Sequence, residues 1–153
     1  MSTVMSEEIK VVATNRKASF EYFLLDRFEA GLSLQGSEIK SVRAGQVSLN
    51  EAYVRIEGNE AWLVEAHIAV YAQANRMNHA TKRPRRLLLH KKEIRRLWDA
   101  VRLKGVTIIP TRVYIKNGRA KLEISIAKGK NVHDKRDSIA KRDQEREMRR
   151  DER

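Results

Sequence analysis

A strict alternation stands out near the end of this chain. Ala120, Leu122, Ile124 and Ile126 are apolar, and Lys121, Glu123 and Ser125 between them are polar. A period of two is the signature of a strand with one face in a core and the other in water. Arg112 to Lys116 and the dipeptide Asn117-Gly118 come just before it, so the segment predicts a tight β-hairpin. The same plan occurs earlier, with Tyr53 to Glu57, a Gly58-Asn59 turn and Ala61 to Val64.

Between the hairpins the period changes. Ile94, Leu97, Trp98 and Val101 fall at i, i+3, i+4 and i+7, one stripe of an amphipathic helix from about His90 to Lys104, stopped by Gly105. Upstream, Ile9 to Ala13 predicts a short strand leading into a basic turn, Asn15-Arg16-Lys17. Phe20 to Leu34 alternates imperfectly around Gly31 and reads as one long bent strand or two strands joined at a glycine bulge, with a helix over Glu21 to Phe28 as the alternative. Gly36 to Arg43 predicts a short helix capped by Ser37 and ended by Gly45.

Many short antiparallel strands with few helices predict a mainly β protein. The expected architecture is an OB-like antiparallel β-barrel with added short helices and a charged C-terminal tail. Three regions follow: a flexible N-terminus over 1–8, the barrel over 9–127 and the tail over 128–153. Of the tail's 26 positions 17 are charged, ten basic and seven acidic, and only Val132, Ile139 and Met148 are bulky and apolar. Such a segment buries too little surface to offset the entropy of ordering itself.

Composition narrows the function. No apolar run approaches the ~20 residues that would cross a membrane, and without cysteine there is neither a disulfide nor a thiolate metal site. The four histidines, His67, His79, His90 and His133, show no paired metal spacing, and no nucleophile elbow, phosphate loop or metalloprotease motif occurs. The chain therefore predicts no enzyme, cofactor or metal. Its formal net charge of +12 favours a polyanionic partner. That charge is concentrated: residues 1–80 carry a net −2, whereas residues 81–104 carry ten basic and two acidic side chains, a net +8.

Within this block, Lys82-Arg83-Pro84-Arg85-Arg86 reads as an exposed, mobile loop whose guanidinium forks suit phosphate oxygens, with Leu87 to Leu89 behind it. A merely solvated loop and helix face is the alternative. Asn15, Arg16 and Lys17 could position phosphates or bases, and Lys40 and Arg43 lie on neighbouring positions of the short helix. Glu29 and Glu38 are unexpected in a basic nucleic-acid binder, because they repel phosphate. They fit there only as acceptors for base amino groups, and otherwise read as surface charges.

The segments NRKASFEYFLLDRFEAGLSLQGSEIKSVRAG, LLLHKKEI, IIPTRVYIKNGRAKLEISIAKGK and HDKR together resemble, in order and spacing, the SsrA-binding proteins of the small protein B family, over about residues 9–142. The resemblance implies an OB-like body that binds the tRNA-like part of transfer-messenger RNA (tmRNA). It also implies delivery of that RNA to stalled bacterial ribosomes in the cytoplasm, with elongation factor Tu as a further partner. Asn15, Glu29 and Leu88 match family positions for RNA binding, while Arg16, Lys17, Glu38, Lys40, Arg43, Arg85 and Arg86 are their expected neighbours. Gly129, His133, Asp134, Lys135 and Arg136 match positions associated with the decoding centre, and the tail beyond them would lie in the empty mRNA channel. One departure is Gln144, which stands where some relatives have an aromatic residue. A structural ribosomal protein and an RNA-processing hydrolase are the two competing readings.

Overall fold

The Asn117-Gly118 turn, with φ of +52° and +78°, closes the longest ladder of the molecule. Positive φ at both central residues matches the turn to the twist of its strands. In the computed structural model, which describes residues 9–70 and 80–130, the ladder joins β8 (Val106–Lys116) to β9 (Arg119–Gly129). Around it run β1 (Ile9–Thr14), α1 (Ala18–Glu21), β2 (Tyr22–Leu32), α2 (Gly36–Arg43), β3 (Val47–Ser48), β4 (Tyr53–Glu57), β5 (Glu60–Val64), β6 (His67–Ile68), β7 (Arg85–Leu88) and α3 (Lys91–Val101).

Seven strands form one sheet in the order β1-β8-β9-β2-β7-β5-β4, every pairing antiparallel, and β3 and β6 form a two-stranded sheet. The mainly β class and both hairpins are as the periodicity predicts. The large sheet curls, bringing β4 against β8. Among the described residues no ladder joins its outer strands β1 and β4, so the expected barrel closure is not observed.

The alternation in β9 does what its period requires. Ala120, Leu122, Ile124 and Ile126 are buried and share one core with Leu63, Leu87, Leu97, Ile108 and Val113. Truncating a fully buried residue such as Leu122 to Ala would cost about 2–5 kcal/mol. Ser125 and Ala127 are buried on the opposite face as well, where Ala18, Ile109 and Ala127 make a second, smaller cluster.

Proline cannot donate to a ladder, and the β8 register slips between Pro110 and Arg112. Asn15 braces that irregularity: its backbone N–H donates to the Thr111 carbonyl (2.7 Å) and its Nδ2 to the Pro110 carbonyl (3.0 Å). β2 is the single long strand of the two options, with a bulge between Leu24 and Arg27, and the helix alternative over Glu21 to Phe28 is excluded.

Three expectations need correction. Ser37 is not the cap of α2. Gln35 holds that position in extended backbone, and the Glu38 carboxylate accepts its N–H at 2.8 Å. Trp98 is not part of the buried stripe of α3, because Ile94 and Leu97 already fill the space over the sheet and leave Trp98 45% exposed. The basic pentapeptide is not a free loop either: it runs straight into β7, which pairs with both β2 and β5. In addition, β9 continues two residues past Ala127, so Gly129 belongs to the body and pairs with Tyr22. His133, Asp134, Lys135, Arg136 and Gln144 lie outside the described residues.

Candidate RNA-binding surface

β7 has two faces, and they divide the basic block. Arg85 and Leu87 point inward and are buried, while Arg86 and Leu88 point outward and are exposed. Leu88 is 55% exposed although it is an apolar residue in a central strand. It faces Gly31 across the β2–β7 ladder.

Beside it lies a cleft of about 460 Å³ lined by Glu29, Gly31, Arg86, Leu88, Lys91 and Lys121, among others. Glu29 is held in place by the Tyr114 hydroxyl, which donates to its Oε2, and by Lys116 Nζ at 3.3 Å. The Tyr114 hydrogen bond, against some opposition from burial, together with Lys116 and Lys121, keeps the Glu29 carboxyl below the usual carboxylate range. Tyr114 is raised in turn, by burial and by the carboxylate it faces. At neutral pH the cleft thus presents an ionised acceptor, an apolar side chain and three flanking cations, Arg86, Lys91 and Lys121, of which Arg86 also reaches Glu60 at 3.5 Å.

Glu38 and Arg85 are elsewhere, and both are fully buried. Arg85 Nε donates to Glu38 Oε2 at 2.6 Å, and Arg83 Nη2 donates to Glu38 Oε1 at 2.5 Å. The rest of the Arg85 guanidinium donates to the carbonyls of Ala66 (2.8 Å), Ala80 (3.3 Å) and Thr81 (3.1 Å). Burial by itself would raise the Glu38 carboxyl, but Arg83, the Gln35 N–H and Arg85 together hold it below its ordinary value. Every polar atom of this pair is turned into the protein. Glu38 and Arg85 are therefore corrected from expected RNA contacts to an internal clasp. They tie α2 to the two chain segments that flank residues 71–79.

The other expected contacts fall into separate patches. Arg16 and Lys17 are exposed at the turn before α1. Asn15 is only 7% exposed, and its Oδ1 has no partner among the described residues. Lys40 and Arg43 are exposed on α2, with Arg43 Nη2 donating to the Gly118 carbonyl at 3.2 Å. The structure brings Glu29, Arg86 and Leu88 into one cleft and leaves the Asn15–Lys17 turn and α2 outside it. Sequence reading missed Tyr114, Lys116 and Lys121. The only signal for Tyr114 and Lys116 was their even spacing along one strand.

The family profile described as SmpB protein matches residues 12–153. The chain belongs to the SmpB protein family. Among similar proteins are the SsrA-binding protein of Desulforudis audaxviator, 55% identical over 142 residues and covering 93% of each chain, and that of Rhodopseudomonas palustris, 54% identical over 140 residues and covering 91% of this chain and 89% of the relative. A chain of a solved structure described by the words "tmRNA-SmpB: a journey to the center of the bacterial ribosome" superposes with a TM-score of 0.68. It is 38% identical, and the match covers 83% of this chain and 93% of that one. The SmpB resemblance read from the motifs is thereby established over nearly the whole sequence.

Proposed function

We propose that this chain is an RNA-binding adaptor of trans-translation, which binds the tRNA-like part of tmRNA and brings it to stalled ribosomes. The observation that carries the reading is the exposed Leu88 beside an ionised Glu29 in a chain of the SmpB family. An apolar side chain standing free above a strand suits the face of an unstacked base. A carboxylate kept ionised by its neighbours accepts hydrogen bonds from base amino groups, and Arg86 and Lys121 take the flanking phosphates. Readout of this kind works on RNA loops, where bases are splayed out. Arg16, Lys17, Lys40 and Arg43 extend the contact along the backbone, and the buried Asn15 Oδ1, without a partner among the described residues, is a further acceptor at the turn that carries Arg16 and Lys17.

The curled antiparallel sheet with its added helices is read as an OB-like barrel. The tail, including His133, Asp134, Lys135 and Arg136, is read as the ribosome-facing part, occupying the decoding centre and the empty mRNA channel. Gly129 is the last strand residue before it. Elongation factor Tu with aminoacylated tmRNA and a cytoplasmic setting complete the proposal.

The test is the affinity of the full-length protein for a transcript of the tmRNA tRNA-like domain. Leu88→Ala removes an apolar contact worth about 1 kcal/mol or more, so binding should weaken roughly fivefold or beyond. Glu29→Gln should weaken it too and change which loop bases are tolerated. If both variants bind like the parent, this cleft is not where the RNA sits.

A further inference from the structure

The proposed cleft does not end at Lys91. Asn59, Lys91 and Ile94 also line a second depression of about 510 Å³, completed by Gly58, Arg95 and Trp98. Its wall is the outer face of α3, where Lys91, Arg95 and Trp98 follow one another at i, i+4 and i+7. Its opposite rim is the β4–β5 turn. Trp98 is 45% exposed here and takes no part in the core, which Ile94 and Leu97 of the same helix enter.

The charges around it are unequal in a useful way. On the same helix and just past its end, Arg96 is paired with Asp26 and Arg102 lies 3.9 Å from Asp99, while Arg86 is 3.5 Å from Glu60. Among the described residues, neither Lys91 nor Arg95 has an ion-pair partner. The two unneutralised cations of this face therefore form a row that leads up to the one exposed indole. Exposing an indole on a helix that has room for it in neither core leaves its face without an internal function. An aromatic platform at the end of a row of unpaired cations is what single-stranded RNA uses, with a base on the ring and phosphates on the charges. A protein partner of acidic character would use the cations but would not require a planar ring.

We infer that Trp98 is a stacking platform for a second unpaired base of the same RNA, with Lys91 and Arg95 holding the phosphates of the strand that leads up to it. This subsite rests on the RNA-binding reading of the adjoining cleft. The bound strand passes from the Glu29–Leu88 cleft along Lys91 to Trp98, so the two sites act on one ligand.

The experiment uses the full-length protein and a transcript of the tmRNA tRNA-like domain. Trp98→Ala should bind about tenfold more weakly, in the range of losing one base–aromatic stack. Trp98→Phe should bind nearly as the parent does. Lys91→Gln with Arg95→Gln should lower the slope of log affinity against log salt by about 2. In a Trp62→Phe background, saturating RNA should quench the emission of Trp98, a readout that does not depend on whether the alanine variant folds well. Binding by Trp98→Ala within twofold of the parent, or unchanged Trp98 emission at saturation, overturns the subsite. The same holds if Trp98→Ala binds RNA normally but loses tagging on ribosomes, which would assign the ring to another partner. Failure of the parent protein to bind the transcript would instead overturn the RNA-binding reading itself. Loss on Leu88→Ala without loss on Trp98→Ala would leave that reading standing and remove only this extension.

Discussion

Gly31 and Leu88 face each other so closely across the β2–β7 ladder that a side-chain carbon on Gly31 would lie 3.2 Å from the Leu88 Cβ. The missing side chain is what lets Leu88 stand out over the cleft in its present position. Gly31→Ala should push Leu88 aside by a few tenths of an ångström. The nearest atom is the Leu88 Cβ, which side-chain rotation does not move, so the two strands themselves must part slightly, at a cost of about 1–2 kcal/mol. The expected result is a small fall in Tm with a loss of RNA affinity comparable to that of Leu88→Ala. A normal affinity would show that the position of Leu88 does not matter to binding.

The Glu38–Arg85 clasp predicts the opposite pairing of effects. Removing one member of a buried ion pair strands the other, at about 3–5 kcal/mol. Arg85→Ala also leaves the Ala66, Ala80 and Thr81 carbonyls without their donor. Urea denaturation should therefore show a large loss of stability for Arg85→Ala and a clear loss for Glu38→Gln. RNA affinity per folded molecule should stay close to the parent value at low temperature. A direct loss of affinity in a fully folded Glu38 variant would restore the idea that this carboxylate touches RNA.

The contrast between these residues shows what the sequence carries. Alternation in β9 and the Asn117-Gly118 turn involve neighbours in the chain, so local order sufficed to predict the hairpin. The basic block was different. Arg83, Arg85 and Arg86 look alike as letters, but β7 turns Arg85 inward and Arg86 outward, and a four-residue strand is too short to announce its period. The partner that makes burial of Arg85 tolerable, Glu38, stands 47 residues earlier. Trp98 failed for a related reason. Four apolar residues at helical spacing define a stripe, but only the packing shows that Ile94, Leu97 and Val101 reach the core and Trp98 does not. Glu29 and Leu88 entered through family resemblance, and their being in one cleft depends on β2 and β7 pairing across more than 50 intervening positions.

Acid should weaken the fold through Glu29 and Glu38. Both carboxyls lie below the ordinary value of 4.5 in the folded state. As pH falls below about 4.5 the unfolded chain takes up protons first, so stability present at neutral pH is lost as pH drops through the folded values. Denaturation midpoints should be flat between pH 6 and 7 and decline as pH falls through 4.5 and below. Glu38→Gln, less stable at neutral pH, should show a shallower decline. An identical acid profile for parent and Glu38→Gln would mean that this buried carboxylate is not part of the transition.

Where the body ends decides how the tail should be removed. Gly129 still pairs with Tyr22, the Lys130 N–H donates to the Glu21 carbonyl at 2.9 Å, and Lys130 Nζ reaches the Ser19 carbonyl at 3.0 Å. Lys130 also stands 5.1 Å from the centre of the Phe23 ring, a cation–π distance. A cut after Ala127 would strip these contacts from α1 and β2 and mix damage to the body with loss of the tail. A cut after Lys130 spares them. That truncation should keep the Tm and the affinity for the tRNA-like domain of tmRNA, and should abolish tagging in a reconstituted stalled-ribosome assay. Tagging by the Lys130 truncation at the parent rate would refute a division of labour between body and tail. If RNA affinity fell along with tagging, the tail would instead belong to the RNA-binding surface.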